Sequence, residues 1–246
     1  MASSYLKRRI NRLRQSILKR TRTTFLFNHK IHGRLLLDSS EPTSRALYIG
    51  YEFEPDLFAF METIFKTDRP DVFLDIGANW GGYSLLAARS GIPQVEAFEP
   101  NRKIFGVLAA NVSLNKLHTQ IRTWSLAAGN ENTEMDLFVD PRASDVSTLT
   151  PANMDERWDY SERQSCLVRR LDELLPLSGK NIFIKIDVEG AEDLVIKGLG
   201  TILKDNKVRL VVEILSDATD AIELLAGLGF KQTGAFGKDY CFDNFT

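Results

Sequence analysis

The chain contains the glycine-rich run Asp75-Ile76-Gly77-Ala78-Asn79-Trp80-Gly81-Gly82-Tyr83-Ser84, between an apolar stretch at residues 72–76 and a predicted helix at residues 83–89. Glycine adopts positive φ angles without strain and lets a ligand approach the backbone closely. The helix that follows presents free N–H groups and the positive end of its dipole. Ligands of parallel sheets bind at the carboxyl ends of strands, near the point where the strand order reverses. The run therefore predicts a ligand-binding turn, although a tight strand-to-helix connection would need the same glycines.

Short apolar runs alternate with helical patterns along the rest of the chain. The predicted strands are residues 72–76, 94–98, 121–126, 181–186 and 208–215. The predicted helices are residues 83–89, 101–115, 171–175, 191–199 and 218–228. This alternation is typical of an α/β fold, in which a parallel sheet is covered by helices on both faces. Residues 229–233 and 240–243 flank two glycines and predict a terminal β-hairpin, which a plain dinucleotide-binding fold lacks.

The segment between residues 140 and 163 differs in composition from its surroundings. Its Pro, Asn and Asp content predicts a loop-rich insertion over residues 140–159. Trp158 and Tyr160 would offer aromatic faces to a carbohydrate, because loops over strand ends commonly set specificity. An ordinary surface loop anchored by two aromatic residues would look the same. Upstream of the glycine-rich turn, three residues are candidates to close the same pocket: Tyr51, Glu52 and Glu54.

Length and composition limit the class of the protein. The chain has 246 residues, of which 43% are hydrophobic and 26% charged, so it forms one large domain or two small ones. This composition excludes disordered, collagen-like and disulfide-stapled chains. Cys166 and Cys241 have no metal-type spacing and are expected to be reduced thiols. Because no apolar run is long enough for a transmembrane helix or resembles a signal peptide, we expect a cytoplasmic location.

The net charge of −2 conceals a strong asymmetry. Ten basic residues and no acidic residue precede Asp38, whereas the remainder has a net charge of −12. We therefore predict a basic helical N-terminal extension at residues 1–45 and an acidic globular domain at residues 46–246. Because the domain is acidic, no nucleic-acid partner is expected.

An apolar stripe runs along the predicted helix of this extension. It consists of Leu6, Ile10, Leu13 and Ile17, with arginines over much of the remaining surface. A basic amphipathic helix of this kind binds an anionic membrane surface or an acidic partner. A helix that packs its narrow stripe on the domain and an organelle presequence are open alternatives.

Two further runs place ionisable side chains at predicted strand ends. Glu99 ends the second strand, where a carboxylate accepts two hydrogen bonds from a ribose diol, although the helix dipole also favours a carboxylate there. Lys185 and Asp187 end the fourth strand, and Glu213 lies in the fifth. A lysine buried in an apolar strand requires a charged partner. These charges therefore indicate either an active-site cluster or a Lys185–Glu213 ion pair that takes no part in chemistry.

Together these runs resemble the FkbM family of S-adenosylmethionine-dependent methyltransferases over roughly residues 50–245. The segments that carry the resemblance occur in order with family-like spacing: DIGANWGGYSLLAA (75–88), VEAFEP (95–100) followed by Asn111 and Asn115, RRLDELL (169–175), KIDVEGAE (185–192) and VVEI (211–214). The resemblance implies a class I methyltransferase with a Rossmann-like sheet of seven strands, a terminal antiparallel hairpin and helices on both faces. It further implies S-adenosyl-L-methionine as the cofactor and a hydroxyl acceptor, commonly on a sugar, glycolipid or polyketide.

The resemblance also implies a cofactor site. Gly77, Asn79 and Gly81 would cradle the amino acid part of the cofactor, with Asp75 behind them holding its ammonium group or an ordered water. Glu99 would hold the ribose hydroxyls. The remaining expected cofactor contacts, of which Ser125 and Leu126 would border the adenine, are Ala78, Tyr83, Pro100, Ser125, Leu126 and Asp187.

Methyl transfer imposes its own requirements on the acceptor side. The acceptor oxygen must lie in line with the S–CH3 bond, and an alkyl hydroxyl gains from a base within hydrogen-bond reach. Asp187 is the first candidate for that base, followed by Glu189 and Glu213, and Lys185 would orient the carboxylates. The three carboxylates would also suit Mg²⁺, but no metal is predicted. The expected function is O-methylation of a hydroxyl on a sugar, glycan or glycolipid, or alternatively on a polyketide or another small molecule.

Three rival functions are weighed against this expectation. Nucleic-acid base methyltransferases acting on amino groups usually carry an Asn/Asp-Pro-Pro-aromatic turn after the fourth strand, where this chain has DVEG at residues 187–190. A nicotinamide dehydrogenase would lack the terminal hairpin. The third rival is a cofactor-binding module without catalytic activity, and the presence of Asp187 and Glu213 argues only weakly against it. The histidines fall outside the motifs: His118 is expected to be structural, and His29 and His32 are left open.

Overall fold

The protein is described from a computed structural model over residues 13, 16–21, 23–151, 154, 156–214 and 219–246. Its strands are β1 (Thr24–His29), β2 (Gly33–Asp38), β3 (Val72–Ile76), β4 (Gln94–Phe98), β5 (Ile121–Trp124), β6 (Ala127–Ala128), β7 (Thr133–Asp140), β8 (Ala143–Thr148), β9 (Glu162–Arg169), β10 (Asn181–Ile186), β11 (Lys207–Glu213), β12 (Lys231–Phe236) and β13 (Asp239–Asp243). Its helices are α1 (Pro42–Tyr48), α2 (Pro55–Thr67), α3 (Gly82–Arg89), α4 (Arg102–Leu114), α5 (Leu171–Leu174), α6 (Glu192–Gly198), α7 (Gly200–Asp205) and α8 (Thr219–Gly227).

A seven-stranded sheet forms the centre of the fold. Its strand order is β12-β13-β11-β10-β3-β4-β5. The strands from β11 to β5 pair in parallel, and β13 runs antiparallel to both of its neighbours. The expected class I methyltransferase sheet, including the terminal hairpin, is confirmed.

The central strands carry two apolar faces, which explains their nearly continuous hydrophobic sequences. In β3, Val72, Leu74 and Ile76 belong to one core, whereas Phe73 packs into the core on the opposite face with Phe183 of β10. Helices cover both cores, so all five residues of β3 are buried. A charged residue in such a strand must either find a partner or reach the strand end.

The order of the strands reverses between β3 and β10. From β3 the chain builds β4 and β5 on one side, and it then returns to place β10 and β11 on the other side. At this point the Asp187 N–H donates to the Ile76 carbonyl at 2.9 Å, so the residues that follow β3 and β10 are held side by side. The crevice for a ligand is expected at such a switch point.

A second, four-stranded sheet, of order β6-β9-β7-β8, corrects part of the sequence prediction. Residues 143–148 form β8, so the prediction of a loop-rich insertion over residues 140–159 is wrong for that part. The sheet has its own small core, which includes Leu137 and Val139 of β7 and Cys166 and Val168 of β9. The sequence does not reveal these strands, because polar residues at their outward-facing positions alternate with the apolar residues of the core.

The N-terminal segment also differs from the prediction. Residues 24–38 form the antiparallel hairpin β1–β2 rather than a helix. Two asparagines of α4 bind the backbone of β2: Asn111 Oδ1 accepts from Leu36 N at 2.6 Å, and Asn115 Oδ1 accepts from Arg34 N at 3.1 Å. The basic extension is therefore not helical throughout, and its hairpin is attached to the domain. The domain boundary at residue 45 remains a prediction.

The predicted amphipathic helix is only partly covered by the described residues. Leu6 and Ile10 lie outside them, whereas Leu13 and Ile17 are 63% and 54% exposed. Residues 16–21 are helical. Among the residues with a described structure, no helix has the length and apolarity needed to cross a bilayer.

Candidate active site

A cavity of about 300 Å³ lies at the carboxyl ends of β3, β4 and β10, at the switch point of the sheet. We term it the main cavity. Most of the predicted site residues line it: Gly77, Ala78, Asn79, Tyr83, Glu99, Pro100, Leu126, Lys185, Asp187, Glu189 and Glu213. Residues that are far apart in the sequence thus converge on one crevice.

Three predicted cofactor residues do not line the main cavity. Asp75 is buried below the turn, where it accepts a hydrogen bond from the Ser84 hydroxyl. Burial raises the pKa of Asp75 to about 6, although Ser84 and Lys185 act in the opposite direction. Gly81 begins α3 with a φ of 91°, and Ser125 is exposed between β5 and β6. Asp75 thus lies behind the turn, as the resemblance implies, and the cofactor contacts of these three residues stay predictions.

The turn after β3 has the backbone geometry that its glycines predicted. Gly77 and Asn79 have φ angles of 85° and 50°, in the left-handed region. A Cβ atom at Gly77 would lie 1.8 Å from the Asp187 carbonyl oxygen, so a side chain there is sterically excluded. The absence of a side chain lets the turn after β3 pack directly against the backbone that follows β10.

Glu99 is fixed beside this turn by two backbone donors. Its Oε2 accepts from Asn79 N at 3.0 Å, and its Oε1 accepts from Asn101 N at 2.8 Å. Burial raises the pKa of Glu99 to about 7, although the two backbone donors oppose this effect. Each carboxylate oxygen offers about two acceptor positions, so two positions remain after these bonds. These two acceptor positions fit the two hydroxyls of a ribose diol.

The charged pair on β10 differs from the ion pair considered from the sequence. Lys185 Nζ lies 2.7 Å from Asp187 Oδ2, so Asp187, rather than Glu213, is its salt-bridge partner. Burial acts to lower the pKa of Lys185, but the charges of Asp187 and Glu54 outweigh this effect and raise the pKa. The ammonium group therefore stays charged and holds the carboxylate of Asp187 at the end of β10.

Glu213 and Asp187 form a coupled pair of carboxyl groups. Burial and the Asp187 charge raise the pKa of Glu213 to about 9. Burial would also raise the pKa of Asp187, but Lys185 and a hydrogen bond from Glu213 lower it below its ordinary value. At neutral pH, Asp187 is therefore the ionised member of the pair and Glu213 the protonated one.

Three carboxyl groups lie close enough together to share a cation. One oxygen each of Asp187, Glu189 and Glu213 lies within 4.8 Å of the others. Carboxylate oxygens suit Mg²⁺, yet the Lys185 ammonium already contacts Asp187. The absence of a structural metal remains a prediction.

The structure adds one acidic residue to this cluster that the motifs did not reveal. Asp239 of β13 pairs in register with Glu213 and is buried, and its Oδ1 has no hydrogen-bond partner among the described residues. Burial raises the pKa of Asp239 to about 6, although Lys185 opposes this effect. Only the pairing of β11 with the terminal hairpin brings Asp239 here, and no sequence motif marks it.

The three residues predicted to close the pocket, Tyr51, Glu52 and Glu54, do not all lie at the main cavity. Glu54 lines the main cavity and accepts a hydrogen bond from the Tyr83 hydroxyl. The Tyr83 ring stacks on Phe58 of α2 and lies 4.8 Å from Lys185 Nζ. Glu52 lines a neighbouring cavity instead, whereas Tyr51 is exposed and lines neither.

The predicted aromatic contacts of the insertion are not found at the main cavity. Trp158 and Tyr160 do not line it, and Trp158 is exposed. Residues of β8 and its end contribute instead, namely Val146, Ser147 and Leu149. Aromatic side chains at the cavity come from elsewhere in the chain: Phe53, Phe58, Trp80, Tyr83 and Phe98.

Comparison with known proteins gives a family match over most of the domain. The family model described as "Methyltransferase FkbM domain" matches residues 75–231, which is more than half of the chain. Among proteins with curated descriptions, none matches.

Several solved structures resemble the fold. A methyltransferase FkbM from Methylobacillus flagellatus KT is 17% identical, with a TM-score of 0.49 over 82% of this chain and 54% of that chain. A SAM-dependent methyltransferase from Agrobacterium tumefaciens is 15% identical, with a TM-score of 0.49 over 89% and 69% of the two chains. An O-methyltransferase from Bacillus cereus, in complex with SAH, is 12% identical, with a TM-score of 0.47 over 79% and 81%. This chain spans about half the length of the Methylobacillus protein.

Proposed function

The chain belongs to the FkbM methyltransferase family, and on that premise we propose that it methylates a hydroxyl oxygen. S-adenosyl-L-methionine is the methyl donor of this methyltransferase. The favoured acceptor is a hydroxyl on a sugar, glycan or glycolipid, and a polyketide or another small-molecule hydroxyl is the alternative. One observation carries the proposal: Asp187 follows β10 directly beside the glycine turn and lines the main cavity.

The residues around the turn fit the cofactor. Glu99 retains acceptor positions for two ribose hydroxyls, and Gly77 and Asn79 line the main cavity, where the amino acid part of the cofactor would lie. Leu126 would cover the adenine from the end of β5. When bound, the cofactor supplies an electrophilic methyl group on a sulfonium centre.

Asp187 is suited to accept the proton of the attacking hydroxyl. The hydroxyl becomes strongly acidic as its oxygen bonds to the methyl carbon, so a carboxylate with a low pKa is basic enough to take the proton late in the step. Lys185 holds Oδ2 of Asp187 at 2.7 Å, which fixes the orientation of the carboxylate. The carboxyl group of Glu213 supports it through a hydrogen bond, and Glu189 lines the same wall. Positioning of the oxygen in line with the methyl group would supply much of the remaining acceleration.

The lining of the main cavity supports a saccharide acceptor. Hydrogen-bonding carboxyl groups stand at one side, among them Glu54, Glu189 and Glu213. Aromatic rings of Phe58 and Trp80 also line the cavity and would pack on the apolar faces of a sugar ring. Ligand sites typically combine such apolar walls with a few placed polar groups.

The proposal is tested by supplying labelled S-adenosylmethionine with matched acceptors. Methyl glycosides, simple polyketide alcohols, and amine and thiol analogues of the same size would be compared by mass spectrometry of the products. A methyl ether formed from an alcohol is the expected product. Exclusive methylation of the amines or the thiols would overturn the O-methyltransferase assignment.

We propose a cytoplasmic enzyme that contacts an anionic membrane through its basic N-terminal residues. The structure refines the test, because a deletion that reaches β1 at Thr24 would damage the hairpin bound by Asn111 and Asn115. Deletion of residues 1–22 should therefore reduce co-sedimentation with anionic vesicles at physiological salt. Unchanged co-sedimentation of a folded truncation would contradict the membrane contact.

A further inference from the structure

A second cavity, of about 130 Å³, adjoins the main cavity. Phe53, Phe58 and Trp80 line both cavities and form a shared aromatic wall. His29 and His32, at the end of β1 and in the hairpin turn, also line the second cavity, and their rings stack with centroids 4.8 Å apart. An apolar cavity of roughly 150 Å³ takes up benzene. The second cavity therefore has room for about one six-membered ring.

His32 gives this cavity a polar group without a partner. The residue is only 4% exposed, and its ring contacts Phe58 and Trp80 edge to face, with centroid distances of 5.2 and 5.0 Å. Its Nδ1 is buried and has no hydrogen-bond partner among the described residues. Buried polar atoms in native proteins are nearly always hydrogen-bonded. The nitrogen therefore offers a hydrogen-bonding position to a molecule that enters the second cavity.

The charge state of His32 decides what that partner must carry. Burial lowers the pKa of His32 to about 3, the charges of His29 and Arg89 act in the same direction, and a hydrogen bond with the Gly82 backbone opposes them. The imidazole is therefore neutral, with one N–H and one acceptor nitrogen. The contact that raises the pKa is donation to the Gly82 carbonyl, which leaves Nδ1 as the acceptor. The missing partner must donate a hydrogen bond.

We propose that the second cavity binds a hydroxyl-bearing six-membered ring of the acceptor, whose hydroxyl donates to His32 Nδ1. This inference rests on the proposed function, since it assigns a subsite to the same acceptor. The shared wall of Phe53, Phe58 and Trp80 places the bound ring beside the methylation site. The acceptor would thus be a molecule with at least two rings, one of which is methylated and the other recognised by His32.

Cyclohexanol and cyclohexanone are matched probes, because they have the same size and only the alcohol donates a hydrogen bond. We expect the wild type to bind cyclohexanol about fivefold more tightly than cyclohexanone, because one hydrogen bond between neutral groups strengthens binding by about this factor. His32→Phe fills the same space without a nitrogen and should lose this preference. His118→Phe, at an exposed position outside both cavities, should retain it.

A second measurement does not depend on the folding of any variant. In the wild type labelled with ¹⁵N at histidine, cyclohexanol should move the resonance of His32 Nδ1 upfield, and cyclohexanone should not. Equal affinity for the two probes, or an unchanged Nδ1 resonance with bound cyclohexanol, would overturn the subsite. Product analysis of the same samples with labelled S-adenosylmethionine and simple alcohols separates this failure from failure of the proposed function, because an enzyme without the His32 subsite would still form a methyl ether.

Discussion

Gly77 and Asp187 are in direct backbone contact where the sheet reverses its strand order. A Cβ atom on Gly77 would meet the Asp187 carbonyl oxygen at 1.8 Å, and the Asp187 N–H donates to the carbonyl of the preceding Ile76 at 2.9 Å. The glycine turn that fits the cofactor and the carboxylate proposed as the base therefore form one rigid unit. Their relative position is set by the pairing of β3 with β10, two strands that are buried almost throughout.

Gly77→Ala should destabilise the protein and abolish cofactor binding, because the added methyl group must displace the backbone after β10. Gly50→Ala is the matched control, since Gly50 has a similar φ of 79° but open space around it. We expect the unfolding free energy of Gly77→Ala to fall by about 1–3 kcal/mol more than that of Gly50→Ala, because forcing an extra methyl group into a packed site typically costs this much. Chemical denaturation measures the difference. Equal losses in the two variants would show that the contact with Asp187 does not constrain the turn.

Asp187→Asn should reduce turnover about 10²–10⁴-fold, which is the usual contribution of a positioned acid or base. S-adenosylhomocysteine should still bind, because Glu99 and the turn are untouched. Asp193→Asn provides the control, since Asp193 pairs with Lys197 on the exposed side of α6. Single-turnover kinetics and calorimetry on the same preparations make the comparison. Turnover within a few fold of the wild type would eliminate Asp187 as the base.

Glu213 should make the stability of the protein depend on pH in a defined direction. Burial and the Asp187 charge raise its pKa from 4.5 to about 9 in the folded protein. Between these values the folded state keeps a proton that the unfolded state has released, so Glu213 destabilises the fold progressively as the pH rises. Relative to the wild type, the Tm of Glu213→Gln should therefore increase from about pH 5 to about pH 9. A difference in Tm that stays constant over this range would contradict the raised pKa, and the exposed Glu131→Gln serves as the control.

Methyl transfer should continue without a divalent metal ion. Lys185 Nζ, 2.7 Å from Asp187 Oδ2, supplies the positive charge that a metal would bring to the carboxylates. Dialysis against EDTA should thus leave turnover unchanged. Loss of activity that Mg²⁺ restores would instead assign the cluster of Asp187, Glu189 and Glu213 to a metal site.

Local sequence patterns predict the sheet and the cofactor side of the site well. The strand Val72–Ile76 and the turn after it are found where the apolar run and the glycines predict them, because fully buried parallel strands and positive φ angles leave few alternatives. Glu99 lines the main cavity as expected, because the end of a strand next to β3 can face only this crevice.

Features that depend on pairing between distant segments could not be predicted in the same way. Asp239 joins the charged cluster only because β13 pairs in register with β11. The hairpin Thr24–Asp38 was hidden by its basic composition, although Asn111 and Asn115 of the matching motifs turn out to bind its backbone. The sequence also could not show how deep single residues lie: Asp75 is buried and accepts a hydrogen bond from Ser84, whereas Ser125 is exposed. Their cofactor contacts stay predictions.

Calorimetric titration with S-adenosylhomocysteine, beside NAD, tests the assigned cofactor most directly. The wild type should bind S-adenosylhomocysteine alone, and Glu99→Ala should weaken binding about 100-fold, because two hydrogen bonds to the carboxyl group are lost. Glu96→Ala is the matched control: Glu96 is equally buried in β4 but bonds to Trp124 and does not line the main cavity. Undiminished binding by Glu99→Ala, or comparable binding of NAD by the wild type, would contradict the assigned cofactor site.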